Sequence, residues 1–157
     1  MNKKALFPGS FDPFTIGHES IVRRALPLFD KIVIAIGYNT NKKGFFPLDD
    51  RISWIKTVFK GENKIEVAVF ENLTVEYCSS IGAQYILRGL RTAADFEFER
   101  AIAQMNRAMH PEIESIFLLT KPEHSHVAST IVRDIIIHGG DASQFLPDKI
   151  NISKFSK

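Results

Sequence analysis

The sequence holds a single cysteine, Cys78, in 157 residues. A lone thiol forms no internal disulfide and no cysteine-rich zinc site, and it suits a reducing compartment. Long apolar runs are also missing. The stretch Ile32–Ile36 is far short of the ~20 residues that cross a bilayer, so no membrane association is expected. Charge of one sign is scarce: 20 Lys plus Arg against 18 Asp plus Glu leave +2, which argues against nucleic acid as a partner. The N-terminal MNKKALFPGSFDP has one short apolar run before Pro8, too little for a secretory core, so the expected location is cytoplasmic. Neither G-x-x-x-x-G-K-[ST] nor G-x-G-x-x-G occurs, nor H-E-x-x-H, nor C-x-x-C. Any phosphate chemistry must use other parts.

The composition present is ordinary for a globular chain. Hydrophobic residues are 45% and charged residues 24%, values that exclude a disordered protein. A chain of this length suits one domain, 1–157, burying roughly 70% of its unfolded surface. Apolar runs alternate with segments of helical period. Strands are expected at Ala5–Phe7, Lys31–Gly37, Ile65–Phe70, Tyr85–Leu87 and Ser115–Leu119. Helices are expected at Gly17–Leu26, Leu48–Lys60, Thr74–Ile81, Ala94–Met109 and Ser129–His138, with a last short helix over Pro147–Phe155. Pro27 should kink or end the first helix and Gly82 cap the third. Thr92 and Asp95 make a capping-box-like start to the fourth. Phe98, Ala101, Ile102, Met105, Ala108 and Met109 mark its apolar face, and Ile131, Val132, Ile135 and Ile136 the inward face of the fifth. Alternation of this kind predicts an α/β fold: an open five-stranded parallel sheet with helices on both faces. Ligands of such sheets bind beyond the carboxyl ends of the strands.

Chemistry-bearing residues cluster there. After the first strand come Gly9-Ser10-Phe11-Asp12-Pro13-Phe14-Thr15-Ile16-Gly17-His18. Gly9 permits a tight exit, Ser10 supplies a hydroxyl, and Gly17 permits close approach of a ligand. His18 sits at a helix N-terminus, a ready anion site; the alternative is a capping turn with a surface histidine. Lys42 and Lys43 follow the second strand, either as cations for a ligand or as a solvated loop. Arg88-Gly89-Leu90-Arg91 follows the fourth. Its arginines suit bidentate phosphate contacts or ion pairs with Asp95, Glu97 or Glu99. After the fifth come His124, Ser125, His126, Val127, Ala128, Ser129 and Thr130, with Ser129 also a plain N-cap candidate. Ser10, His18, Lys42, Arg88, Arg91, Ser129 and Thr130 thus all follow strands. Four loops bring hydroxyls, cations and helix N-termini to one sheet edge, which reads as a polyphosphate site without a P-loop.

The run PGSFDPFTIGH resembles the nucleotidyltransferase signature H-x-G-H, with Thr15 in place of the first histidine. With ILRGLR, ADFEFE, MNR (Met105–Arg107) and PEIESIFL, the chain closely resembles the phosphopantetheine adenylyltransferases from Lys3 to about Pro147. The resemblance implies a Rossmann-like fold. It also implies transfer of the adenylyl group of ATP to 4'-phosphopantetheine, giving dephospho-coenzyme A and pyrophosphate, with Mg²⁺ accompanying ATP and no metal held by the protein. By motif, Ser10, Phe11, His18, Gly89, Leu90, Arg91, Glu99 and the loop His124, Ser125, His126, Val127, Ala128, Ser129 and Thr130 would bind ATP. Ser10, Lys42, Thr74 and Arg88 would hold phosphopantetheine. His18, Lys42 and Arg91 would carry catalysis. A homohexamer and feedback by coenzyme A are implied as well. Three departures stand out: Ser10 where threonine is common, Phe98 where tyrosine is common, and histidines at 124 and 126 where larger aromatics are common. The rival readings are another nucleotidyltransferase, acting on nicotinate mononucleotide, glycerol phosphate or phosphocholine, and a non-catalytic nucleotide-binding module.

Overall fold

Apolar runs become strands and segments of helical period become helices. The computed structural model describes residues 2–155, so the outermost ends of the expected domain lie outside the described residues. The elements are β1 (Lys4–Gly9), α1 (Ile16–Ala25), β2 (Lys31–Gly37), α2 (Leu48–Val58), β3 (Ile65–Phe70), α3 (Thr74–Ser80), β4 (Tyr85–Leu90), α4 (Ala93–Met109), β5 (Glu114–Leu119) and α5 (Ser129–Ile137). The strands form one parallel sheet in the order β3-β2-β1-β4-β5. This is the expected Rossmann-like α/β arrangement. No helix among the described residues is long and apolar enough to cross a membrane.

The pleat divides the core. Ile32, Ile34 and Ile36 of β2 enter the larger cluster with Phe7, Ile21, Val22, Ile55, Val132 and Ile136. Val33 and Ala35 enter the smaller cluster with Leu6, Val75, Cys78 and Ile86. Successive side chains of a strand face opposite ways, and a strand buried on both faces is apolar throughout. Cys78 is buried on the inner face of α3, with its thiol directed to the carbonyl of Ala83 at 3.6 Å.

Several expectations need correction. β1 and β4 run further than their apolar residues, so Pro8, Gly9, Arg88, Gly89 and Leu90 belong to strands. Arg88 therefore lies inside β4 rather than after it. α2 stops at Val58 instead of Lys60. The segment after Pro147 holds only a short 3-10 turn, Ser153–Phe155. Ile131 points outward and is 54% exposed, whereas Val132 and Ile136 are buried. Thr92 caps α4 by accepting from the Asp95 N–H, but the Asp95 carboxylate turns to Arg91, so the box is half made. α4 forms as expected, but its apolar face is left open: none of its residues is buried, and Phe98 and Met105 are 69% and 65% exposed. Its apolar stripe does not plug the sheet; part of it borders a cavity above β4 and β5.

Ile34 and Ile131 test this division of burial. Ile34→Ala should lower the unfolding free energy by about 2–5 kcal/mol. Ile131→Ala should stay within about 0.5 kcal/mol of wild type, as surface changes do. Urea titration of both variants checks the pair, and equal losses would contradict it.

Candidate active site

The site begins where β1 and β4 part. They pair only through Ala5–Tyr85 and Leu6–Ile86, while β1 and β2 stay in register from Lys4 to Gly9. Beyond Leu6 the gap is bridged by a side chain: Arg88 Nη1 donates to the Pro8 carbonyl at 2.6 Å. Two cavities open on either side of this bridge. Both are bordered by Pro8, Gly9, Arg88 and Glu99.

The first cavity, of about 290 Å³, lies at the carboxyl end of β1 and β4. Its floor is the β1 exit. Phe11 has φ of 46°, in the left-handed region, and its ring folds back over Gly9. A Cβ at Gly9 would lie 2.9 Å from that ring, so the close approach requires glycine. The loop is tied down by three side chains from two helices. Arg51 of α2 donates to the Ser10 carbonyl, Arg133 of α5 to the Asp12 carbonyl, and Ser129 Oγ to the Pro13 carbonyl, each at 2.8 Å. Asp12 accepts in turn from the N–H groups of Phe45 and Phe46.

His18 is oriented by its own helix cap. The Thr15 N–H donates to His18 Nδ1 at 3.0 Å, and the His18 N–H donates to Thr15 Oγ1 at 3.3 Å. With Nδ1 accepting, the ring proton resides on Nε2. The rings of Phe11 and Phe14 lie 5.0 and 5.3 Å from the imidazole. Burial, then the charges of Arg88 and Arg91, push the His18 pKa down to about 3. His18 is thus a neutral hydrogen-bond donor at neutral pH.

The cations are held by neighbouring carboxylates. Arg88 donates to both oxygens of Glu99, at 2.8 and 3.2 Å. Arg91 Nε donates to Asp95 at 3.1 Å. Burial raises the Asp95 pKa, but the Arg91 hydrogen bonds and charge outweigh it and leave the carboxyl below its ordinary value. Both arginines keep faces on the first cavity. The ion pairs and the ligand-facing position weighed as alternatives in the sequence therefore coexist.

Most of the expected residues converge. Ser10, Phe11, His18, Arg88, Gly89, Arg91 and Glu99 line the first cavity, with His124, Val127, Ala128, Ser129 and Thr130 opposite. The Nδ1 atom of His124 is buried there without a hydrogen-bond partner. Ser129 is not the N-cap of α5; Ala128 occupies that place, and Ser129 contributes a first-turn N–H while its hydroxyl serves Pro13. Leu90 is buried away from the cavity. Ser125 Oγ donates to the Pro122 carbonyl, and His126 faces the Phe145 ring edge-on; neither lines a cavity. Lys42 is exposed on a turn closed by its N–H to the Asn39 carbonyl, and it borders neither cavity.

Of the second cavity, about 420 Å³, sequence reasoning named Thr74, Arg88 and Glu99 but not the apolar lining. Phe70, Leu73, Ile86, Phe98 and Ile102 make it apolar, with Asn106 and Ser115 as polar groups. Its signal in the sequence is the apolar stripe on α4, of which Phe98 and Ile102 line the cavity. Among the described residues no cluster of three or more His, Cys, Asp or Glu side chains is arranged to hold a metal.

The cytidylyltransferase-like family model matches residues 6–135. The phosphopantetheine adenylyltransferase of Flavobacterium psychrophilum is 52% identical over 96% of this chain and 99% of its own. That of Bacteroides thetaiotaomicron is 46% identical over the same shares. A crystal structure of a bifunctional NMN adenylyltransferase/ADP ribose pyrophosphatase from Francisella tularensis superposes with a TM-score of 0.73 at 16% identity, covering 93% of this chain and 45% of that one, and so shares the fold. On the identity and coverage of these relatives, the chain belongs to the phosphopantetheine adenylyltransferase family of cytidylyltransferase-like nucleotidyltransferases.

Proposed function

We propose that the chain transfers the adenylyl group of ATP to 4'-phosphopantetheine, giving dephospho-coenzyme A and pyrophosphate. The observation that carries this reading is the pair of cavities meeting at Arg88: one lined by cations, hydroxyls and a helix N-terminus, the other apolar. The first suits a nucleoside triphosphate. The second suits an uncharged, flexible arm whose terminal phosphate reaches Arg88, with Thr74 beside the arm.

The nucleophile sets the chemistry. A phosphate monoester has a second pKa near about 6 and is largely a dianion at neutral pH. It needs no general base and no covalent enzyme intermediate. Direct in-line attack on the α-phosphorus requires two polyanions to be aligned and their repulsion offset. The His18 Nε2–H donates to an α-phosphate oxygen, and Lys42 supplies positive charge to the same group. Arg91 and the N–H groups of Ser129 and Thr130 hold the β- and γ-phosphates, which leave as pyrophosphate. Arg88 exchanges part of its Glu99 contact for the incoming phosphate. His124 offers its free Nδ1 to the nucleotide base.

Mg²⁺ carried by the phosphates of ATP would supply charge neutralisation there. The cavity carboxylates are engaged, Glu99 by Arg88 and Asp95 by Arg91, which fits a cation held by the nucleotide. Coenzyme A, sharing the pantetheine arm, binds the same cavities as a feedback inhibitor. The chain works in the cytoplasm as a homohexamer, for which the exposed Phe96, Phe98, Met105 and Met109 of α4 provide apolar surface.

Product analysis by mass spectrometry tests the reaction, with ATP and Mg²⁺ offered 4'-phosphopantetheine, nicotinate mononucleotide or glycerol phosphate in separate mixtures. Dephospho-coenzyme A with pyrophosphate in the first alone is expected. Product in another mixture would change the acceptor, and ATP binding without turnover would leave a binding module. His18→Ala should lower kcat by ~10²–10³ with little change in ATP affinity. The acid limb of kcat/KM should fall near the phosphate pKa of about 6 and persist in His18→Gln, because free-enzyme His18 stays neutral there; a limb that vanished in the variant would assign it to His18. Light scattering should give the mass of a hexamer, and a monomer would remove the assembly.

A further inference from the structure

We propose that Asp12 and Arg51 are positioning residues for Lys42: the pair locks the loop that carries Lys42 to the Ser10 turn. The inference rests on the reading that Lys42 serves adenylyl transfer. Neither Asp12 nor Arg51 borders either cavity, and both are buried, at 7% and 4% exposure.

Lys42 owes its position to the ties on either side of its loop. At the entrance, the Tyr38 N–H donates to the Phe70 carbonyl at 2.8 Å. Within the loop, the Asn41 N–H donates to Asn39 Oδ1 at 2.9 Å and the Lys42 N–H to the Asn39 carbonyl at 3.0 Å. At the exit, the N–H groups of Phe45 and Phe46 donate to the two carboxylate oxygens of Asp12, at 2.7 and 2.8 Å. Asp12 belongs to the β1 exit, two residues after Ser10. Arg51 then clasps both segments, donating from Nη1 to the Ser10 carbonyl at 2.8 Å and from Nε to the Phe46 carbonyl at 3.1 Å.

The direct contact between the two charges is loose, with Arg51 Nε 3.9 Å from Asp12 Oδ1. Their shorter bonds go to backbone. A buried charge is costly unless its hydrogen-bonding capacity is met, and here the backbone of two loops meets much of it. The pair therefore acts as a joint between loops. Gly44, two residues after Lys42, closes over that joint. A Cβ there would stand 2.8 Å from Arg51 Nη2 and 3.2 Å from Asp12 Oδ2. Asp12, Arg51 and the close space at Gly44 thus fix the backbone of the loop that carries Lys42, while His18 and Arg91 are held by other contacts.

A double-mutant cycle tests this. Asp12→Asn and Gly44→Ala are made in wild type and in Lys42→Ala, and kcat and KM are measured for both substrates. Asp12→Asn should lower kcat by about ten- to a hundredfold, the scale of a misplaced group, with the KM for ATP changed less than about threefold. In the Lys42→Ala background the same substitution should cost less than about twofold, because its effect runs through the missing ammonium. Gly44→Ala should show the same dependence on Lys42. Equal losses in both backgrounds, or no loss in wild type, would overturn the proposal. Should Asp12→Asn not give a cooperative thermal melt, Gly44→Ala decides by the same criterion. Wild-type protein that forms no dephospho-coenzyme A would overturn the functional reading and this inference together; active wild type with an additive cycle would overturn this inference alone.

Discussion

Two neighbouring strands that stop pairing organise this molecule. β1 and β4 hold each other through Leu6 and Ile86 and then separate, as the strand order reverses direction at that point. The free backbone edge this creates is not left bare: Arg88 reaches across to the Pro8 carbonyl. The guanidinium consequently stands between the two cavities and belongs to both. Proline and glycine at the end of β1 fit the same geometry. Pro8 has no N–H to leave unpaired, and Gly9 lets the Phe11 ring close over the strand end.

Around that opening the protein pairs each arginine with a carboxylate. Glu99 holds Arg88 and Asp95 holds Arg91 in fixed geometry. His18, half-buried among aromatic rings and near two guanidinium groups, avoids adding a third positive charge by staying neutral. A phosphate arriving here meets directed donors that need little rearrangement, which is the condition under which hydrogen bonds favour a transition state most. The same arrangement limits repulsion among the cations when no ligand is bound.

Much of this was legible in the sequence, for identifiable reasons. Lys31–Gly37 announces itself as a strand because β-branched residues buried on both faces leave no polar gap, and Ile65–Phe70, at the sheet edge, does so by its β-branched residues although Glu66 is exposed. The placement of Ser10, His18 and Arg91 follows from the rule that ligands gather beyond strand ends. Strand ends at Pro8 and Arg88 were missed because those residue types are uncommon in strands, and here they serve the opening. The α4 stripe has correct helical spacing, but periodicity marks an apolar face without saying what covers it. The second cavity was invisible for a related reason: it is made by separation of elements, which no local pattern encodes. Lys42 was found by type and position after β2, whereas the joint at Asp12 and Arg51 that holds its loop spans residues far apart in the chain.

The burial of Cys78 gives the chain an internal reporter. Its surroundings, burial first and then the Glu112 charge, push the thiol up to about 12, so the thiolate is scarce at neutral pH and the sulfur is shielded by α3. An alkylating reagent attacks the thiolate and must reach it. Labelling of native protein therefore proceeds through openings of the α3 side of the sheet, and its rate, when reclosing is fast, measures their free energy. Because the sequence has no second cysteine, that rate belongs to one place in the fold without further engineering.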